Sequence, residues 1–437
     1  MVRTQLQKLA GVFVASLAII LLLLPWHAFL STWGGTAIGP LLVWKSWKEI
    51  LLLLLVPPVL WYCILRPDMC KLLWSRLINK LVAAYLVLSL VMALFSQASH
   101  EAVIAGLLID LRFFACFVLA QLVVASKHPW AEKLKALVPS WLLWTAIILA
   151  IISVLQVSVL PHDFLAHFGY NKDITISPIS TVDNKSNVLR AFATMRGPNT
   201  LGAYLLIPLA CALYFVIKKR NIALAAAALG LGLIALLLTD SRSAWLGFMV
   251  TAALVLLYVL PRQGLIKWTK RLAVPVVLAV GILLWAATSV PSLRLAIFHS
   301  SAKDVNPALL AGSTDAHWRA TLTGIRYIGT HPLGTGIGSA GPASFYNTKA
   351  APLISEDYFV QIGEEAGILG LLLFLAINVL VSKQLLEAKT PTAYLLFASF
   401  VGLSLISIFL HGWADDPTAM TWWALAGLYI FDKKGEL

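Results

Sequence analysis

Apolar runs of roughly 20 residues recur from one end of the chain to the other. Each is long enough to cross a hydrocarbon layer of about 30 Å as a helix, the form in which a segment satisfies its own backbone polar groups. About twelve such segments are predicted by length and apolarity, near 9–30, 49–65, 81–97, 101–125, 137–160, 197–217, 221–238, 243–260, 272–290, 358–381, 392–411 and 418–431. The composition agrees: 60% of the 437 residues are hydrophobic and 12% charged, against about a quarter charged in soluble domains. The expected fold class is an all-α polytopic membrane protein of about 12 transmembrane helices, forming a single integral membrane domain over 1–437. The first segment follows Arg3 and Lys8 and has no small-residue cleavage site after it, so it is read as a retained helix.

Basic residues in short loops stay cytoplasmic. With the N-terminus inside, most of the 33 Lys and Arg fall on that side, for example Arg66, Lys71, Arg76, Lys80, Lys218, Lys219 and Arg220. Both termini are therefore expected in the cytoplasm, in the plasma (inner) membrane. The net charge of +13 is then explained by membrane lipid headgroups and calls for no nucleic acid. Cys63, Cys70, Cys116 and Cys211 fall in helices or on the inner side in this topology, so no outer disulfide is expected.

Two outer loops are long, 161–196 and 291–357, and neither is of low complexity. Long ordered loops are commonly functional. The second contains Trp318, Leu322, Ile325 and Ile328 at helical spacing, ended by His331-Pro332, which predicts an amphipathic helix on the outer surface or tucked against the bundle. The outer segments also gather Arg190, Arg196, Arg242, Arg319 and Arg326. A guanidinium is permanently charged and its planar fork fits phosphate oxygens, which suits a lipid-linked phosphate or pyrophosphate. The plainer reading is that each arginine snorkels or pairs with a nearby acid such as Asp240 or Asp315.

"SEDYFVQIGEEAGILG", 355–370, puts four carboxylates at the opening of a membrane segment. On a helix Asp357, Gln361 and Glu364 share a face, with Glu365 a little to the side. Capping by Ser355 and Asp357 accounts for one acid. It does not account for Glu364 and Glu365 two turns inside, where an unpaired carboxylate is costly, so a polar site is expected there. Asp110 and Arg112, two apart on a helix, face different ways and each needs its own partner. His162, His167, His317, His331 and His411 lack metal-ligand spacing. Gly334, Gly336, Gly338 and Gly341 suit tight turns better than a nucleotide loop. Trp33, Trp44, Trp47, Trp422 and Trp423 suit interfacial belts, and Asp415 and Asp416 fall in the last outer loop.

Four stretches resemble a known family: "LRAFATMRGPNTLGAYLLIPL", "TDSRSAWLGF", "HWRATLTGIRYIGTHPLGTGIGS" and "EDYFVQIGEEAGILG". In this order they are similar to the O-antigen ligase and Wzy-type polymerase superfamily of membrane glycosyltransferases, over roughly residues 188 to 372. The resemblance implies a GT-C-like architecture and an inverting, metal-independent transferase with no cofactor. Its donor would be an undecaprenyl-pyrophosphate-linked glycan at the outer face, its acceptor a glycan, lipid or protein hydroxyl. Arg190 and Arg242, with Arg319 less closely, match the pyrophosphate arginines. Arg196, Arg326, Gln361 and Glu364 are expected at the substrate. Where ligases carry a catalytic His this chain has Glu356, and Asp357 stands in the Asn position; a carboxylate can also take a hydroxyl proton. The change tilts the reading towards a polymerase or other glycan transferase. A transporter or flippase of polyprenyl-linked or anionic glycans, and a protein O-oligosaccharyltransferase, remain as alternatives.

Overall fold

A computed structural model describes residues 2–181, 188–260 and 313–431 of the chain. Over these residues it is helical, with a single isolated antiparallel bridge between Thr181 and Leu189. The helices are α1 (Val2–Leu23), α2 (His27–Ala37), α3 (Leu41–Lys45), α4 (Trp47–Leu54), α5 (Val56–Leu65), α6 (Pro67–Ser75), α7 (Leu77–Leu94), α8 (His100–Ala125), α9 (Pro129–Ser158), α10 (Pro198–Ile217), α11 (Ile222–Leu238), α12 (Arg242–Val259), α13 (Ser313–Thr330), α14 (Tyr358–Ala388), α15 (Pro391–Ser407) and α16 (Asp416–Tyr429).

Among the described residues 8 helical stretches are long and apolar enough to cross a membrane, and α11 and α15 are shorter apolar helices. This is a multi-pass membrane protein. The predicted segments fall on helix, with 9–30 divided between α1 and α2 and 49–65 between α4 and α5, except 272–290, which lies outside the described residues. Several helices open on a proline that has no N–H to waste: Pro129, Pro198 and Pro391 each stand first in their helix, where the lost donor is one the helix cannot use anyway.

The centre of the bundle is built from α10 and α16. All residues of α16 are buried, and the helix packs on α8, where a Cβ at Gly427 would collide with the Phe117 carbonyl. Close helix approach through small residues is the usual packing device in lipid, where apolar side chains gain little from one another's company. Trp422 and Trp423 are therefore not belt residues. Both are fully buried: Trp422 donates to the Leu396 carbonyl at 3.1 Å, and Trp423 packs against Phe113, Phe114 and Phe117. The cysteines add a cross-link that the sequence does not announce. Cys63 and Cys70 form a disulfide across the α5–α6 corner, with Cα atoms 5.7 Å apart, because the turn at Arg66-Pro67 folds two helices back on each other.

Helix α14 is broken near the site. Gly367 has φ +68° and ψ −172°, a conformation essentially restricted to glycine. The break frees the carbonyls of Glu364 and Glu365, and the segment after α13 supplies donors: Thr335 N–H bonds to Glu364 O at 2.9 Å and Gly336 N–H to Glu365 O at 3.0 Å, while Ile368 N–H bonds to Pro332 O at 2.9 Å. The glycines of this segment serve close packing. A side chain at Gly334 would meet the α14 backbone at 2.5 Å, and one at Gly338 would run into the α8 backbone at Ala102.

Candidate active site

Three loops converge at the end of the bundle where α10, α12 and α14 begin. The first, ahead of α10, is shaped by the Gln156 side chain, which accepts from the Phe192 and Ala193 amides at 3.1 and 2.9 Å. It presents Arg190, whose Nε donates to Thr239 O at 2.8 Å and whose guanidinium also donates to Asn199 Oδ1 at 2.9 Å. Thr239 opens the second loop, the 239–241 turn, and Arg242 is the first residue of α12. Arg190 and Arg242 are thus brought to one turn from segments about 50 residues apart in sequence.

The third loop leads into α14. Asp357 is its N-cap, accepting from the Phe359 and Val360 amides at 2.8 and 3.0 Å. Burial raises its carboxyl above the usual range while those two bonds oppose the rise. Glu356 precedes it with φ +58°. Ala193 and Asp240, in the two arginine-bearing loops, also have positive φ, at 49° and 47°. A non-glycine residue held there costs roughly 1–2 kcal/mol, and such strain gathers at functional sites.

Glu356 meets the Nδ1 of His317, on α13. The imidazole is held below its ordinary pKa, first by burial and then by the charge of Arg242. Arg242, His317 and Glu356 therefore form one cluster. His411, in the turn after α15, stands near it: burial, and then His317, push its pKa down to about 4.

The remaining sequence-predicted residues divide. Arg196 lines a cavity with Asn199, His411 and Asp415. Arg319 and Arg326 lie on the exposed face of α13, away from that cavity. The opposite face of α13 docks on α14, with Thr321 donating to Ser355 O at 3.2 Å and Gly324 against Glu364 and Val360. Glu364 is fully buried under that contact. Gln361 donates to Glu365 at 3.5 Å. Glu365 itself accepts from the Gly338 amide at 2.7 Å, so its place two turns into the helix is tied to holding the glycine segment.

Behind the site lies a buried charge cluster. Asp416 is bonded to Lys48 at 2.7 Å, to His27 at 3.0 Å and to Arg112. Glu49 joins Lys48 and Arg112, each at 3.1 Å, and Arg112 also donates to Ala414 O at 2.6 Å. Asp110 instead accepts from Tyr358 at 3.1 Å, so the two charges on α8 do have separate partners.

Against this geometry, residues 226–375 match the family model Wzy_C, O-antigen ligase. Over this stretch the chain is similar to the O-antigen ligase family. No curated protein matches the chain. The O-antigen ligase region contains Arg242, His317 and Glu356, whereas Arg190, Arg196, Asn199, His411 and Asp415 are contributed from outside it. His317 was not distinguishable in the sequence from the other scattered histidines. The signal available was its position on the predicted outer helix, one residue ahead of the apolar stripe that begins at Trp318.

Proposed function

We propose that the protein is a membrane glycosyltransferase of the O-antigen ligase or polymerase type, transferring a glycan from an undecaprenyl-pyrophosphate carrier to an acceptor hydroxyl at the outer face of the plasma membrane, with both termini in the cytoplasm. The observation that carries this reading is the meeting of Arg190, Arg242, His317 and Glu356 at one place. A groove of about 660 Å³ along α14 and α15, with Leu375, Val379, Leu386 and Phe400 as its apolar wall and Lys383, Glu387 and Lys389 among its charged groups, offers room for part of a polyprenyl chain.

In the reaction, the acceptor oxygen attacks the anomeric carbon as the bond from that carbon to the pyrophosphate oxygen breaks, inverting the centre. The hydroxyl proton passes to the Glu356 carboxylate, which His317 orients. Asp357, committed to its cap, positions Glu356 by fixing the start of α14. Negative charge grows on the departing pyrophosphate, and Arg190 and Arg242, pre-set by the strained loops, stabilise it more in the transition state than in the ground state. Arg196 lies nearest the glycan, with Gln361 and Glu364 shaping the wall beneath it. Arg319 and Arg326, exposed on α13, meet the incoming donor at the surface.

The test is transfer in washed membranes supplied with a lipid-linked glycan. Arg242→Ala is expected to lower the rate by roughly 10²–10³-fold, as removal of one charge-stabilising donor does, and Glu356→Gln by about 10²–10⁴-fold, as loss of a general base does. Near-normal transfer by either variant overturns the assignment. Movement of lipid-linked glycan across the membrane without a new glycosidic bond would replace it with the transporter reading.

A further inference from the structure

The cavity beside the cluster has a chemistry of its own. It measures about 180 Å³, room for about six waters at ~30 Å³ each and well below the roughly 300–1,000 Å³ of pockets that hold drug-sized ligands. Its polar wall is Arg196, Asn199, His411 and Asp415, set over an apolar floor that includes Ile109 and Pro342. His411 is largely buried, and its Nε2 is enclosed with no hydrogen-bond partner among the described residues. A buried polar atom left unpaired is costly and calls for an explanation.

The groups on that wall define what fits. The neutral imidazole of His411 offers one donor and one acceptor. Asn199 has its oxygen taken by Arg190, so it offers its amide N–H. Asp415 accepts from Thr200 at 2.9 Å, which leaves its other oxygen as an acceptor. Arg196 is a donor. Sugar hydroxyls, which both give and accept, match such a mixed set, and the C–H face of a pyranose matches the apolar floor. A phosphate or an acidic sugar would meet the Asp415 carboxylate. We propose that this cavity is a subsite for a single uncharged pyranose ring of the glycan, with His411 bonded to one of its hydroxyls. The proposal rests on the transferase reading for which substrate supplies the ring. Asn199 joins the cavity to Arg190 and His411 joins it to His317, so the ring belongs either to the donor sugar next to the pyrophosphate or to the acceptor sugar.

The experiment uses the full-length protein in membranes, with each substrate varied while the other is held saturating. His411→Ala is expected to raise the KM for one of the two by roughly tenfold, the effect of one lost hydrogen bond, with kcat within about threefold; His411→Gln, which keeps a donor and an acceptor, should recover most of the loss. A shift in acceptor KM assigns the acceptor ring, and a shift in donor KM the donor ring. In parallel, a His411→Cys variant is alkylated with a small thiol reagent with and without the free monosaccharide, the labelled site being read by mass spectrometry. Slower labelling in the presence of sugar supports the subsite even if the wild type makes no glycosidic bond, an outcome that would sink the transferase reading alone. Active transfer with both KM values unchanged in His411→Ala, or labelling indifferent to sugar, overturns the subsite.

Discussion

At the scale of single residues, the site works through groups whose charge state is set by burial. His317 and His411 are both held neutral, so neither adds to the positive charge of Arg190 and Arg242. Asp415 is pushed up to about 6, chiefly by burial, with Asp416 adding to the rise and Arg196, Thr200 and Arg112 opposing it. It is therefore an acceptor above pH 6 and becomes a protonated donor below. The binding of the glycan is expected to weaken as pH falls through about 6, seen as a rising KM between pH 7.5 and 5.5, and Asp415→Asn should flatten that limb of the profile. A KM profile that keeps its slope in Asp415→Asn would show that another group titrates there. The same residue-scale view explains why Asp357 and Glu356, adjacent in sequence, differ: one carboxylate is spent on two amides, the other faces an imidazole.

At the scale of elements, α13 is the piece that brings His317 to Glu356, and it is seated through Gly324. A Cβ there would meet Val360 Cγ1 at 2.5 Å, Glu364 Oε1 at 2.7 Å and Ser355 Cβ at 2.9 Å. Gly324→Val should lift α13 from α14, lowering transfer more than tenfold and opening α13 to limited proteolysis, while the bundle melts at nearly the same temperature. Gly329→Ala, on the exposed side with nothing within 4 Å, is the control and should leave both readouts unchanged. Much of this layout was legible beforehand: the membrane segments follow from apolar length, and α13 from the spacing of Trp318, Leu322, Ile325 and Ile328. The break at Gly367 was not, because the groups that satisfy it come from Pro332, Thr335 and Gly336, and no periodicity within α14 announces a partner outside it. The partner of Glu365 was hidden for the same reason. Glu365 accepts from the Gly338 amide, a donor from a segment that precedes α14 by about twenty residues.

At the scale of the whole molecule, the cluster of His27, Lys48, Glu49, Arg112 and Asp416 ties α2, α4, α8 and α16 together. Removing one member of a buried ion pair leaves its partner uncompensated and costs about 3–5 kcal/mol. Arg112→Met should therefore lower the thermal midpoint in detergent markedly, and Arg112→Met combined with Glu49→Leu should recover part of the loss, since Lys48 and Asp416 still balance each other. A double variant no more stable than Arg112→Met would show that the contacts, rather than the charge balance, are what count. The cluster also fixes one wall of the cavity. That wall, the turn from His411 to Asp416, is locked at Ala414 and Asp416 by charges that cannot separate cheaply away from water. His411 and Asp415 are thus carried on a turn anchored at both Ala414 and Asp416, so that side of the cavity is already set before any ligand arrives.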